Sequence, residues 1–268
     1  MVVHEYVPRS PLSFFIAKFW HYEQYVVTHG WERIMPSCGT GLLINLQEDE
    51  LRWRDFGSES VNRIRGFGIC GPQPQPIEID TFQQRFIMGV EFREAGAAAL
   101  FGFPAYELAA AHVGLADLCG REVTRLHEQL VDAPTPAVRF RLLEAWLMPR
   151  AAERMQRCLP IVHALSLLER LPVAAVASQV AMSPKRLIQS FRAEVGLTPK
   201  LYCRVRRFES MLRAVERSTD VNWALVGCQY GYYDQAHLTH EFRSLSGYTP
   251  SEYLALRGPY ARHVPISG

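Results

Sequence analysis

The sequence predicts an α+β front part, followed by an all-α domain with two helix-turn-helix units joined by a long helix. Three observations predict it: short apolar runs between turn residues up to residue 92, helix-like patterns after Glu94, and an internal repeat in the last hundred residues. The chain has 268 residues, room for two ordinary domains, and its 48% hydrophobic content supports real cores and excludes general disorder.

In the front part, Pro11 to about Tyr22 reads as a helix or a helix-to-strand segment. Residues 41–47, 51–56, 63–70, 76–82 and 84–92 read as strands, with Pro72, Pro74 and Pro76 punctuating two of them. Residues 95–101, 105–110, 115–118, 122–131 and 137–147 read as helices. A strand-rich body followed by helices suggests a small barrel or sandwich packed by a helical segment.

The repeat is the strongest signal. Leu187, Phe191, Arg192, Gly196, Thr198, Pro199 and Tyr202 recur 51 residues later as Leu238, Phe242, Arg243, Gly247, Thr249, Pro250 and Tyr253. Upstream the offset is 50, pairing Ala174 with Ala224, Val176 with Val226, Gln179 with Gln229 and Ala181 with Gly231. One residue is therefore gained or lost in the intervening turn, where insertions are tolerated. Each unit reads helix, turn, helix. Ser183 before Pro184 caps the second helix of the first unit; Gly231 and Asp234 supply the turn residue and cap in the second. Leu187/Phe191 and Leu238/Phe242 stand four apart, on buried faces. Thr198-Pro199 and Thr249-Pro250 start further helices, and Thr249 with Glu252 has capping-box spacing.

The helix after Thr198 is expected to reach about Arg217, with Leu201, Val205, Phe208, Leu212 and Val215 as its apolar stripe. About 19 residues at 1.5 Å each make a rod of roughly 28 Å. Successive major grooves on one face of B-DNA lie about 34 Å apart. A rod of this length lets two second helices enter neighbouring grooves, so the repeat reads as a DNA reader; a duplicated helical hairpin with a structural role is the alternative. Charge points the same way. Residues 1–159 hold 16 Arg and Lys against 19 Asp and Glu, whereas residues 160–257 hold 12 against 8.

Other classes find little support. The chain has no apolar run long enough for a membrane span, and its N-terminus is not built like a signal peptide. The six cysteines are scattered, as expected of reduced cytoplasmic thiols, and none has C-x-x-C spacing. His4, His21, His29, His112 and His127 lack H-x-H spacing, and no nucleophile elbow, P-loop or dinucleotide fingerprint occurs. The expectation is no metal, no cofactor and no enzyme activity.

The segments SPKRLIQSFRAEVGLTPKLY, CRVRRFESMLRA and GYYDQAHLTHEFRSLSGYTPSEYLALR closely resemble the AraC/XylS family of bacterial transcription regulators, over about residues 160–257. The resemblance implies a bipartite DNA-binding domain, preceded by a cupin-like β-barrel sensor and helices that often dimerise. Two residues depart from the pattern: Ala181 stands where glycine is common in the first turn, and His240 where many members have arginine. Family positions that meet base edges match Lys185, Ile188 and Gln189. In the second unit the exposed base-reading set is Gln235, Ala236, Thr239 and His240. Arg186, Arg192, Arg204, Arg207 and Arg243 are candidate phosphate contacts, with a solvated face or intradomain ion pairs as the alternative.

The segments MPSCGTGLLINL and CGPQPQPIEI are similar to those of one subgroup of AraC-type sensors. Trp20, Tyr22, Trp31, Met35 and Cys38 are candidate effector-binding residues, or plain core; a redox role for Cys38 stays open. The divisions expected are a sensor over 1–150, a linker over 151–159, the DNA-binding domain over 160–257 and a tail over 258–268. The partners expected are double-stranded promoter DNA, a small-molecule effector, RNA polymerase and a second copy of the chain. Pairing would use Val138, Leu142 and Trp146, unless these pack on their own barrel. Alternatives are a DNA-binding regulator controlled by abundance or a protein partner, and a cupin-type enzyme with an accessory tail.

Overall fold

The computed structural model describes residues 1–152, 159–218, 220–260 and 262–266. Most of the expected linker, residues 153–158, lies outside the described residues.

The front part carries ten strands: β1 (Val2–Tyr6), β2 (Ile16–Glu23), β3 (Trp31–Ile34), β4 (Gly41–Asn45), β5 (Glu50–Asp55), β6 (Asn62–Arg65), β7 (Phe67–Cys70), β8 (Ile77–Asp80), β9 (Phe86–Phe92) and β10 (His112–Gly114). An eleventh, β11 (His263–Ile266), comes from the far end of the chain. They form two antiparallel sheets of order β1-β2-β9-β4-β7-β10 and β11-β3-β8-β5-β6, not one closed barrel. Of the two readings of Pro11–Tyr22, the helix-to-strand one holds: one short 3-10 turn is followed by β2, in which alternation buries Phe19 and His21 on one face. Other expectations need correction. The run 63–70 is two strands, broken at Gly66, whose φ of +70° turns the chain into the other sheet. Residues 105–110 hold only a 3-10 turn, Ala105–Glu107.

The sheets meet through Gly68, where a Cβ would come within 2.6 Å of the Leu51 and Ile64 side chains. The opposite face of the six-stranded sheet is covered by helices. These are α1 (Gly96–Phe101), α2 (Leu115–Cys119), α3 (Arg121–Asp132) and α4 (Pro136–Ala152). Phe19 stacks 6.2 Å from Phe140 of α4, and the inner stripe of α4 is Phe140, Leu143 and Leu147, all buried. Trp146 sits 6.5 Å from Phe67 and 5.8 Å from Phe101, and both Trp146 and Leu142 pack against this core. Of the residues expected as a dimer seam, Leu142 and Trp146 thus pack on their own core, and all three, Val138 included, are half-buried.

The C-terminal part is helical throughout: α5 (Leu159–Leu168), α6 (Val173–Gln179), α7 (Pro184–Val195), α8 (Pro199–Val215), α9 (Trp223–Gln229), α10 (Gln235–Ser246) and α11 (Pro250–Leu256). The caps explain the boundaries. Ser183, Thr198, Asn222, Asp234 and Thr249 each accept a backbone N–H at the start of α7, α8, α9, α10 and α11. Thr249 and Glu252 complete a capping box. Gly196 and Gly247 close α7 and α10 in the left-handed region.

Residues 258–268, expected as a tail, carry β11. It pairs with β3, setting Ile34 opposite His263 and Trp31 opposite Ile266. Its anchors are a buried carboxylate and a buried valine. Glu32 lies 2.8 Å from His263 Nδ1 and 2.9 Å from His29 Nε2, and Val264 is fully buried. Burial alone would raise the Glu32 carboxyl, but the hydrogen bonds and charges of His263 and His29 outweigh it and hold the group below its ordinary range.

Candidate nucleic-acid interface

The two helical hairpins are α6–α7 and α9–α10, and α8 links them. Burial follows the helical period. Leu187, Phe191 and Val195 are buried on α7, as are Leu238, Phe242 and Leu245 on α10. Lys185, Arg186, Ile188, Gln189 and Arg192 of α7 are exposed. So are Gln235, Ala236, His240 and Arg243 of α10; Thr239 is half-buried, and its hydroxyl donates back to the Gln235 carbonyl at 2.8 Å. Aligned on the repeat, Lys185, Ile188 and Gln189 correspond to Ala236, Thr239 and His240. Both candidate sets therefore occupy the N-terminal halves of equivalent helices, the part of a recognition helix that meets base edges.

The linking rod is slightly shorter than expected. Its 17 residues span roughly 25 Å. Its buried surface is wider than the expected stripe, because α8 is packed on two sides. Val205, Phe208, Leu212 and Val215 serve the hairpins. Tyr202, Arg206 and Glu209, spaced four and three apart, face Glu94 of the front part and the C-terminal segment that leads into β11. The Tyr202 hydroxyl donates to Glu94 at 3.4 Å, Arg206 lies 3.7 Å from Glu94, and Glu209 lies 3.3 Å from Arg262.

The arginines separate into different roles. Arg204 donates to Glu241 at 2.6 Å and to Ser244 at 2.8 Å, tying α8 to α10, the intradomain pairing given above as the alternative to a phosphate contact. Arg207 is exposed, with its guanidinium 5.5 Å from the Tyr232 ring. Arg192 lies 5.9 Å from the ring of Tyr106 in the front part.

Sequence reasoning did not find how the helical part is seated. The same loop of both hairpins presses on the strand-rich body. A Cβ on Gly196 would fall 2.9 Å from the Ala105 carbonyl oxygen, and one on Gly247 would fall 2.6 Å from the Phe56 ring. Arg33 stacks between Phe56 and Tyr248, 4.8 Å from each ring. The duplicated Gly-x-Thr-Pro loops would have been the signal, since both copies keep a glycine where space is shortest.

The five candidate effector residues are not brought together. Trp20 and Tyr22 pack against each other with tilted rings 4.5 Å apart, on the face of β2 opposite Phe19. Trp31 is covered by Arg54, whose guanidinium lies 3.7 Å from the ring. Met35 and Cys38 are buried beside the helical part: the Met35 N–H donates to the Arg262 carbonyl at 2.8 Å, and the Cys38 thiol donates to the Tyr202 carbonyl at 3.6 Å. Burial pushes the Cys38 thiol well above its ordinary range, so it remains a protonated packing group. A groove of about 650 Å³ between β1 and α4, lined among others by Tyr6, Phe140 and Glu144, contains none of the five. Among the described residues no cluster of His, Cys, Asp and Glu is placed to hold a metal ion, and no helix is long and apolar enough to cross a membrane.

Residues 176–255 match a helix-turn-helix domain family. The arabinose operon regulatory proteins of Salmonella typhimurium and Escherichia coli are each 31% identical over 83 residues. Over these residues the C-terminal domain is similar to AraC-type regulators. That AraC-type match takes in 31% of this chain but only 29% and 28% of the two relatives, so the chain spans under a third of their length. Residues 4–114 match a domain of unknown function, DUF6597. Among solved structures, ToxT from Vibrio cholerae with unsaturated fatty acid bound gives a TM-score of 0.45 at 9% identity, covering 97% of this chain and 96% of that one. The AraC-like transcriptional activator CuxR gives 0.20 at 16% identity, covering 74% and 73%.

Proposed function

We propose that this chain is a sequence-specific, DNA-binding transcription regulator of AraC type, acting in the cytoplasm on double-stranded promoter DNA. The observation that carries the reading is the exposure of equivalent side chains on the N-terminal halves of α7 and α10, two 12-residue helices mounted on a single rod. Lys185, Ile188 and Gln189 read one half-site; Gln235, Ala236, Thr239 and His240 read the other. Glutamine pairs bidentately with adenine, and Ile188 suits a thymine methyl. Arg186, Arg192, Arg207 and Arg243 supply phosphate contacts, which set register and affinity.

In this reading residues 1–150 are a cupin-like sensor and residues 160–257 the DNA-binding domain. The seating of α8 on Glu94, Cys38 and Arg262 is the surface through which a small-molecule effector acts. An effector shifts DNA binding by favouring one seating over another; equal affinity for both shifts nothing. RNA polymerase and a second copy of the chain complete the set of partners, the second copy engaging α4 through its exposed positions.

Selection of random duplexes by the purified full chain tests the reading. A bipartite consensus with half-sites about one helical turn apart is the expected product. Enrichment of no sequence, at salt low enough to retain any weak binding, would contradict it.

A further inference from the structure

The repeat fixes where the two hairpins differ in length. Ala181 and Gly231 correspond at an offset of 50, whereas the caps Ser183 and Asp234 correspond at 51. Between turn residue and cap the first hairpin has Met182 alone, and the second has Tyr232 and Tyr233. Tyr232 fills the inward place. It is 5% exposed, packs edge-on to His237 at 5.5 Å, and lends its ring to Arg207. The extra residue is therefore Tyr233, and it is 92% exposed.

At 92% exposure the Tyr233 side chain makes almost no contact with its own fold. Here the backbone beneath it is fixed. The Tyr233 N–H donates to His237 Nδ1 at 3.2 Å, and Asp234, the next residue, caps α10 by accepting the His237 N–H at 2.7 Å. The ring is thus projected outward from an ordered turn, two residues before the exposed Gln235 that opens α10.

We propose that Tyr233 is an additional DNA contact, held by the second hairpin alone. This rests on the DNA-binding reading above. A residue just ahead of a recognition helix stands at the rim of the major groove, beside the sugar–phosphate strand. The Tyr233 ring packs on a deoxyribose there, and its hydroxyl donates to a phosphate oxygen. Contacts of this kind set position and strength, not base preference. The second hairpin consequently grips its half-site with an anchor that the first lacks.

The test uses the full chain on the duplex it selects from a random library, with Tyr233→Ala and Tyr233→Phe. Tyr233→Ala is expected to bind about tenfold more weakly, the loss of one hydrogen bond to a charged group with its packing. Footprint protection should fade first over the α10 half-site, and the base preferences there should stay the same. Tyr233→Phe should fall between the two. The thermal midpoint should not move, because the side chain touches little of its own fold. If Tyr233→Ala matches the parent in affinity, or loses protection equally at both half-sites, the proposal is wrong while DNA binding stands. If the parent chain selects no duplex, the functional reading fails and the proposal fails with it.

Discussion

In the first hairpin the turn residue is Ala181 at φ +54°; in the second it is Gly231 at φ +73°. At the place where α10 buries Leu245 completely, α7 carries Glu194. α7 rests on the Ala105–Glu107 turn and α1, and Arg192 lies near Tyr106, whereas the second hairpin touches the body through the loop at Gly247 and Tyr248. The copies thus share their caps and their Leu and Phe anchors but not their surroundings. The repeat keeps one scaffold, while its copies differ at the turn, at the Glu194/Leu245 position and in what they pack against.

The largest test of this comparison lies in the cores. Phe242 is ringed by Phe208 at 5.1 Å, Tyr253 at 5.5 Å and Trp223 at 5.7 Å, whereas Phe191 has one aromatic neighbour, Tyr202 at 5.4 Å. Phe242→Ala should cost about 3–5 kcal/mol of unfolding free energy and Phe191→Ala less, measured by urea denaturation. The reverse order would mean that the two cores are not built as described.

Next comes the strand that follows the second hairpin. Removing the residues after Gly258 takes away the β11–β3 pairing and the His263 and Arg262 partners of Glu32 and Glu209. The expected loss is about 2–4 kcal/mol, read from the denaturation midpoint. Because the Glu32 carboxyl titrates lower when folded, its contribution is present above the ordinary carboxylate value and is lost as pH falls through the folded one. A truncated chain as stable as the parent would remove β11 from the account.

Glu194 gives a smaller effect with the opposite pH sign. Burial pushes its carboxyl up to about 7, and its Oε2 has no hydrogen-bond partner. A group raised on folding favours the native state at low pH, and that advantage disappears as pH rises through the folded value. Glu194→Leu, the residue of the second copy, should stabilise the chain at pH 8 by on the order of 1–2 kcal/mol and flatten its stability between pH 4.5 and 7. An unchanged pH profile would show that the carboxylate is solvated.

The smallest difference is the turn. Ala181→Gly should stabilise by about 1 kcal/mol and Gly231→Ala should destabilise by a similar amount, since only glycine enters the left-handed region without strain. Equal and negligible shifts would show that the two turns are equivalent after all.

The helical part was largely legible in the sequence because its signals are local. Each Ser, Thr or Asp cap stands beside its helix, and the buried positions repeat every three or four residues. In the strand-rich part the readings 41–47, 51–56, 63–70, 76–82 and 84–92 each fall on strands. β1, β3 and β10 fall outside these readings, and β11 contains Pro265, which a sheet edge accepts but a strand pattern does not announce. Its partner β3 lies more than two hundred residues away. The candidate site divides the same way. Exposure of Gln189 and His240 follows from helical periodicity, whereas the pairing of Arg204 with Glu241 and the seating of Gly196 on Ala105 depend on distant residues.

The central claim is that α8 holds two reading heads at a fixed groove spacing. It is tested most directly by inserting base pairs between the half-sites of the selected duplex and measuring affinity with Gln189→Ala and His240→Ala in parallel. The account predicts that an insertion of about five base pairs, half a helical turn, reduces binding to that of one half-site. It also predicts that the two substitutions relax base preference in different half-sites. Undiminished affinity across the spacer series, or both substitutions acting on the same bases, would contradict it.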